Sequence, residues 1–198
     1  MGIMDRVLGE KKEKIKMSGS YFVSGDFVPL LLADDIMTGI YFKTLKGNDK
    51  IYRYYNGVYR DDGKETIKEM CMNFLKSSFS IHRVNETIAC IQAKTYTDPD
   101  EINNNWINLE NGLLDPTTSE FKPHTPEVFS IIRIPITYDP EADCPFFKEK
   151  LRGKVSENKF NTIQEMFGYC YLPGQKFERA FLFYGPKRTM KSTTLFIL

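Results

Sequence analysis

The chain has 198 residues, which is the length of one domain or of one domain and part of another. Hydrophobic residues make up 41% of the chain and aromatic residues 14%, which is enough apolar surface for a folded core and excludes a chain disordered throughout. The 27 basic and 26 acidic residues give a net charge of +1, which excludes a strongly basic, histone-like binder but leaves room for a local basic surface.

The sequence shows neither a secretory signal nor a membrane-spanning segment. Residues 1–17 indicate a charged helix or mobile arm without the apolar segment of a secretory signal, and no run approaches the roughly 20 apolar residues of a membrane helix. The four cysteines form no C-x-x-C pair, and the two histidines are not spaced as metal ligands with them. We therefore expect free thiols, no zinc site, no membrane partner and an intracellular, cytoplasmic protein.

The first half of the chain predicts helices and short hairpins. Pro29 opens an apolar helix that Gly39 ends, and aromatic and β-branched residues predict strands at 41–45 and 51–55. Asn56-Gly57 is a hairpin signal, and residues 58–60 form the returning strand. Apolar residues at helical spacing predict two further helices, one with Ile67, Met70, Cys71, Phe74 and Leu75 and one with Val84, Ile88 and Ile91.

The second half begins with short strands and turns. We predict strands at 106–109, 112–114 and 130–134. A helix begins at Pro145, with Cys144 at its cap, and a further helix stops near Gly168.

The last residues differ in character from the rest. The continuous apolar run 180–184 predicts a strand buried on both faces, followed by a loop from Gly185 and a helix that begins near Lys191. The fold class expected is therefore α+β: mixed helices and short antiparallel hairpins leading into the first strand and phosphate loop of an incomplete α/β ATPase domain.

The loop after this predicted strand approaches the phosphate-loop pattern of Gly, four residues and Gly-Lys-Ser/Thr. In that pattern the first glycine, here Gly185, permits the turn, and backbone N–H groups cradle phosphate oxygens at a helix N-terminus. The Lys191 ammonium would reach the β- and γ-phosphates, and the Ser192 hydroxyl would ligate Mg²⁺. The candidate nucleotide-binding residues are Gly185, Pro186, Lys187, Arg188, Thr189, Met190, Lys191, Ser192 and Thr193.

Met190 departs from the pattern, which has glycine before the lysine. Its Cβ and thioether would crowd the phosphate or force a strained backbone dihedral, so the loop is degenerate. The alternative without a nucleotide-binding role is a lysine-rich turn between a strand and a helix.

Several ordered motifs resemble those of the DNA primase-helicase proteins of phages, plasmids and large viruses. They span about residues 27–198 and end with the loop above. In chain order they are YRYYNGVY at 52–59, INLENGLLD at 107–115, KPHTP at 122–126, Ile134-Pro135, YDPEADCP at 138–145 and IQEMFGY at 163–169.

The resemblance implies a superfamily-3-type, ATP-dependent DNA helicase that acts in mobile-element replication. Such ATPase domains assemble as hexameric rings around single-stranded or forked DNA, with ATP and Mg²⁺ at subunit interfaces. It implies a charged arm at 1–19, a helicase-associated N-terminal domain at 20–175, and the start of a truncated ATPase domain at 176–198. In this family Lys191 matches the catalytic, phosphate-binding lysine, and Ser192 matches the Mg²⁺ ligand.

The family also uses a carboxylate pair, a sensor asparagine and an arginine acting in trans, all beyond Leu198. Since phosphoryl transfer needs these groups, we expect this chain alone to hydrolyse ATP negligibly. A non-catalytic DNA- or subunit-binding module therefore stays open as an alternative. A small phosphate-loop kinase is disfavoured by the position of the loop.

The tyrosine-rich hairpin at 52–59 has two interpretations. Its tyrosines could stack on bases of single-stranded DNA, with Arg53 and Arg60 on phosphates. Strand propensity alone also explains the aromatic residues, and ordinary strand packing is the favoured interpretation.

Overall fold

A computed structural model describes residues 20–102, 105–173 and 178–198. The fold is α+β, as predicted, with small, mainly antiparallel sheets and helices packed against them. The arm predicted at 1–19 lies outside the described residues.

The first unit begins with a two-stranded hairpin and a helix. Strands β1 (Phe22–Val23) and β2 (Asp26–Phe27) pair antiparallel, and helix α1 spans Pro29–Gly39. Proline is tolerated in the first turn because its missing N–H would have no intrahelical acceptor there. The helix buries Leu32, Ala33 and Ile36, and its last residue is the predicted glycine.

A four-stranded sheet follows, in the order β5-β4-β3-β6. Its strands are β3 (Phe42–Leu45), β4 (Ile51–Tyr55), β5 (Val58–Arg60) and β6 (Tyr96–Thr97). The β4–β5 turn is the predicted one, with φ of 47° at Asn56 and 81° at Gly57, as a two-residue hairpin turn requires. Strand β6 pairs parallel to β3, and the sequence analysis did not predict this strand.

Two amphipathic helices cover this sheet. Helix α2 spans Gly63–Leu75, a short 3₁₀ turn follows at Lys76–Ser78, and α3 spans Ile81–Thr95. Ser80 caps α3 by accepting a hydrogen bond from the Arg83 amide. The apolar residues that predicted α2 are all buried, and together with α1 and Val84 and Ile91 of α3 they form the main core.

A three-stranded antiparallel sheet forms the second unit, after a 3₁₀ turn at Pro99–Glu101. It contains β7 (Ile107–Leu109), β8 (Gly112–Leu114) and β9 (Phe121–Lys122). The first two strands confirm the prediction, and the sequence did not predict the third.

The strand predicted at 130–134 is wrong. This segment bridges the two sheets instead of extending either one, because its hydrogen bonds go in different directions. Ser130 O accepts from the Tyr59 amide of β5 at 2.7 Å, whereas the Ile134 amide donates to Asn108 O of β7 at 2.8 Å.

Two helices follow, α4 (Pro145–Arg152) and α5 (Glu157–Tyr171). Cys144 is the N-cap residue of α4, as predicted. The stop predicted at Gly168 is wrong, since α5 continues for three residues beyond it. The Tyr169–Phe181 ring contact, with centroids 5.7 Å apart, lies in this continuation and offsets part of the roughly 1 kcal/mol that a helical glycine costs.

The C-terminal segment contains helix α6 (Lys191–Ile197), which begins at the predicted residue. The buried strand predicted at 180–184 is wrong. The segment is irregular, and Leu182 and Tyr184 are more than 90% exposed. A strand needs a hydrogen-bonding neighbour, and no strand in the described part of the chain pairs with it. No helix of the described residues is both long and apolar enough to cross a membrane.

Candidate functional site

The loop at 185–190 has a strained backbone at several positions. Gly185 has φ of 151°, which favours glycine, and Arg188 and Met190 have φ of 63° and 62°. Met190 adopts the left-handed conformation directly before α6. The backbone at this position therefore has a conformation that glycine adopts freely, although the side chain is a long thioether.

The Lys191 side chain folds back over the loop. Its ammonium group donates to Gly185 O at 3.0 Å, Pro186 O at 2.5 Å and Thr189 Oγ1 at 3.1 Å. Thr189 in turn donates to Pro186 O at 2.9 Å. Lys191 thus closes the loop into a ring of polar contacts, with its positive charge held at the centre.

The first turn of α6 presents backbone donors beside this charge. The Thr194 amide donates to Met190 O at 2.8 Å. The N–H groups of Lys191, Ser192 and Thr193 precede this bond and have no intrahelical acceptor. The Ser192 side chain is exposed next to them.

A cavity of about 710 Å³ lies between this loop and the turn that joins α4 to α5. Gly185, Pro186, Thr189 and Lys191 line one side of it. The opposite side carries three more cations, which are Arg152, Lys154 and Lys159. Arg152 is paired with Glu157 at 3.6 Å, whereas Lys154 and Lys159 have no ion pair with any described residue.

The cavity thus brings together only part of the predicted set. The other five candidate residues do not line it; they are Lys187, Arg188, Met190, Ser192 and Thr193. Sequence reasoning missed Lys154 and Lys159, because they lie about 30 residues before the loop and belong to no local pattern.

The tyrosine-rich hairpin has two different faces. Tyr52, Tyr54 and Tyr59 lie on one face, where Tyr52 and Tyr59 are buried against the Phe129 ring at centroid distances of 5.4 and 4.9 Å. Tyr59 also donates from its hydroxyl to Pro126 O at 2.6 Å, and burial raises the pKa of this hydroxyl. These two rings are core residues, so strand packing explains them.

The opposite face carries Arg53, Tyr55 and Arg60. Arg53 is buried, and its guanidinium donates from Nε to Asp62 Oδ1 at 3.0 Å and from Nη2 to Asp62 Oδ2 at 2.5 Å. The base-stacking interpretation placed Arg53 on a phosphate, and the structure pairs its charge instead with a carboxylate at the start of α2. Arg60 is exposed and lies 5.0 Å from the centroid of the Tyr55 ring.

The hairpin turn is clamped to the second sheet. Asn108 Nδ2 donates to Gly57 O at 2.8 Å, and the His124 ring lies directly over Gly57. His124 Nε2 lies 3.1 Å from Asn108 Oδ1 and 2.9 Å from Leu109 O. Since both partners are acceptors, Nε2 carries the proton. His124 thus joins the INLENGLLD and KPHTP segments to the hairpin.

These features define an α+β module in which helices cover a sheet that contains the tyrosine-rich hairpin. The loop at 185–190, which Lys191 closes, follows towards the C-terminus. The chain belongs to the D5 N terminal like family, whose model matches residues 25–155. This is a domain of phage and viral primase-helicase proteins, so the matched region is primase-helicase-associated. No curated protein matches the chain.

Proposed function

We propose that the chain is the N-terminal portion of an ATP-dependent DNA helicase or primase-helicase that acts in mobile-element DNA replication. The family match at 25–155 supports the helicase-associated part of the proposal. The loop at 185–193 lies outside the matched range, and its nucleotide-binding role rests on its own geometry. The single observation that carries that role is the left-handed Met190 placed directly before Lys191.

This conformation accounts for both the loop shape and its degeneracy. A non-glycine residue in the left-handed region costs about 1–2 kcal/mol, yet the backbone holds it here. The loop therefore keeps the path that a glycine would give it. What differs is the Met190 side chain, whose Cβ would crowd a phosphate that approached this backbone.

Lys191 supplies the charge for the proposed site. Its ammonium now contacts neutral oxygens of the loop, and a phosphate oxygen would be a stronger acceptor because it is anionic. Lys154 and Lys159, across the cavity, add positive potential for the polyphosphate. The exposed Ser192 would supply the protein oxygen to the Mg²⁺ that accompanies ATP.

The wider role includes DNA and other copies of the chain. We propose single-stranded or forked DNA as the substrate, a homo-hexamer in the full-length context, and the host cytoplasm as the place of action. The alternative is a DNA- or subunit-binding module without ATP turnover. The contacts that hold Lys191 on its own loop favour it, since they must break before a phosphate binds.

The test is calorimetric titration of Mg²⁺-ATP into the pure chain and two variants. We expect Met190→Gly to bind more tightly than the wild type, because the side chain that crowds the phosphate is removed. We expect Lys191→Ala to lose at least tenfold in affinity, because the central charge is lost.

Lys68→Ala is the matched control, since it removes an exposed lysine of α2 away from the loop. Its affinity should equal that of the wild type. If no variant binds, or if Lys191→Ala binds as well as Met190→Gly, the loop is not a phosphate cradle. The non-catalytic module would then be the better description.

A further inference from the structure

The tyrosine-rich hairpin at 52–59 borders a second cavity, separate from the one beside the loop at 185–190. It has a volume of about 730 Å³ and lies between the β4–β5 hairpin and the 131–133 segment. Since β5 is an edge strand, the cavity opens at the edge of the four-stranded sheet. Three cations line it, Lys50, Arg60 and Arg133, together with two carboxylates, Asp61 and Asp62.

Both carboxylates are already engaged. Asp61 pairs with Lys50 at 3.0 Å, and these partners lower the pKa of Asp61 and raise that of Lys50. Asp62 accepts both hydrogen bonds of the buried Arg53. Neither acid is therefore left to neutralise the remaining cations.

Most N–H groups of the Arg60 and Arg133 guanidiniums donate no hydrogen bond to the described residues. Arg133 donates one hydrogen bond, from Nη1 to Asn56 O at 2.8 Å, which ties it to the hairpin turn. Arg60 lies against the Tyr55 ring, which restricts its side chain without satisfying its N–H groups. In the described part of the chain neither arginine has a carboxylate within 4.0 Å. Each guanidinium carries five donors in a planar fork, so a charged acceptor is the partner that both lack.

We propose that Arg60 and Arg133 bind the phosphate backbone of single-stranded DNA in this cavity. The inference rests on the proposed DNA-binding function and names where the strand is held. A strand carries a phosphate at every nucleotide, so two guanidinium groups on one cavity can take successive phosphates. The cavity's volume of about 730 Å³ is that of a small-ligand site, which suits one flexible strand better than a duplex. The contact is to the backbone, so binding is independent of base sequence.

The test is fluorescence anisotropy with a labelled oligothymidylate of about 20 nucleotides, measured from about 50 to 200 mM salt. Arg60→Gln/Arg133→Gln removes both charges and keeps a polar side chain at each position. We expect its affinity to fall by roughly tenfold or more. The slope of log affinity against log salt should become shallower by about 1.4, because each phosphate that an arginine neutralises contributes about 0.7 to the slope.

Two further variants make the test specific. Lys68→Gln/Lys76→Gln removes two exposed charges on and after α2 and should bind as the wild type does. Because Arg133 also holds the hairpin turn, Arg60→Gln alone is a second test that leaves the turn intact. We expect it to change the slope of log affinity against log salt by about half as much. Circular dichroism and thermal melting establish that each variant is folded.

The outcomes separate the inference from the function on which it rests. The assignment to this cavity is overturned if the folded Arg60→Gln/Arg133→Gln variant binds as tightly as the wild type, or if the lysine control loses as much affinity. The DNA-binding proposal would stand in either case. No wild-type binding to the oligonucleotide overturns both the cavity and the DNA-binding proposal. A duplex of the same length that binds more tightly than the single strand overturns the choice of ligand.

Discussion

At the residue scale, Gly57 meets two structural requirements, of which the sequence revealed only one. Its φ of 81° is the requirement of the hairpin turn, and the sequence predicted this from Asn56-Gly57. The second requirement is room for His124. A Cβ on Gly57 would lie 2.7 Å from Cγ and 2.8 Å from Nδ1 of that ring, which is closer than atoms of this kind approach.

Gly47 makes it possible to separate the two requirements. It lies in the turn between β3 and β4 of the same sheet, has φ of +94°, and nothing lies within 4 Å of its would-be Cβ. We expect Gly47→Ala to cost about 1–2 kcal/mol from the left-handed backbone alone. Gly57→Ala should cost about 1–3 kcal/mol more, because the His124 ring must move. Urea unfolding of both variants measures the difference, and equal costs would contradict the close packing of His124.

At the element scale, the Arg53–Asp62 pair joins the β4 strand to the start of α2. Asp62 precedes α2 and also accepts hydrogen bonds at its carbonyl oxygen from the Thr66 amide at 3.0 Å and the Thr66 hydroxyl at 2.9 Å. Arg53 is 6% exposed, so the Asp62 carboxylate compensates a charge that water barely reaches. The pair therefore fixes the angle at which the chain leaves the sheet and enters the helix.

Removing one partner of this pair tests its role. We expect Asp62→Ala to destabilise the fold by about 3 kcal/mol, because it removes the carboxylate that accepts two hydrogen bonds from a buried guanidinium. The comparison is Asp98→Ala, which breaks the exposed Lys46–Asp98 pair, 2.9 Å long, and should leave the unfolding midpoint nearly unchanged. Thermal unfolding of the two variants would contradict the argument if their losses were equal.

At the scale of the whole molecule, the four cysteines sample different parts of the fold. Cys71 is buried in the main core between the helices, Cys90 is half-buried on α3, and Cys144 and Cys170 are exposed on the α4 and α5 segments. Burial raises the pKa of the Cys71 thiol from its ordinary value of 9.0 to about 11. Because the unfolded chain ionises first, the stability linked to this thiol is present below pH 9 and is lost as pH rises towards 11.

Thiol labelling therefore reports which part of the molecule opens. With iodoacetamide at about pH 8, we expect Cys144 and Cys170 to react quickly. Cys71 should react at least about 100-fold more slowly, since burial raises the pKa of its thiol, which lowers its thiolate fraction, and the core excludes the reagent. Peptide mass spectrometry assigns the labelled positions, with a sample in denaturant as the control that labels all four. Native-state labelling of Cys71 as fast as that of Cys144 would mean that the helical core is not closed.

The sequence determined the local elements, because their causes are local. Periodic apolar residues fixed α2 and α3, Pro29 and Gly39 bounded α1, Asn56-Gly57 set the hairpin, and the start of α6 at Lys191 was predictable from the loop pattern. Motifs that resemble those of primase-helicase proteins could also be recognised in the sequence, and the family match at 25–155 supports the resemblance over those residues. The loop at 185–193 was found from its spacing alone, although its nucleotide remains a prediction.

The tertiary structure decided which of those residues are available, because availability depends on neighbours distant in the chain. Arg53 and Arg60 looked equivalent in sequence, yet Asp62 neutralises one of them, and Arg133, 73 residues after Arg60, lines the cavity with the other. The run 180–184 has the composition of a buried strand, but a strand exists only where another segment pairs with it, and in the described residues none does. Composition fixes what a segment can form locally, whereas burial and charge compensation are properties of the assembled fold.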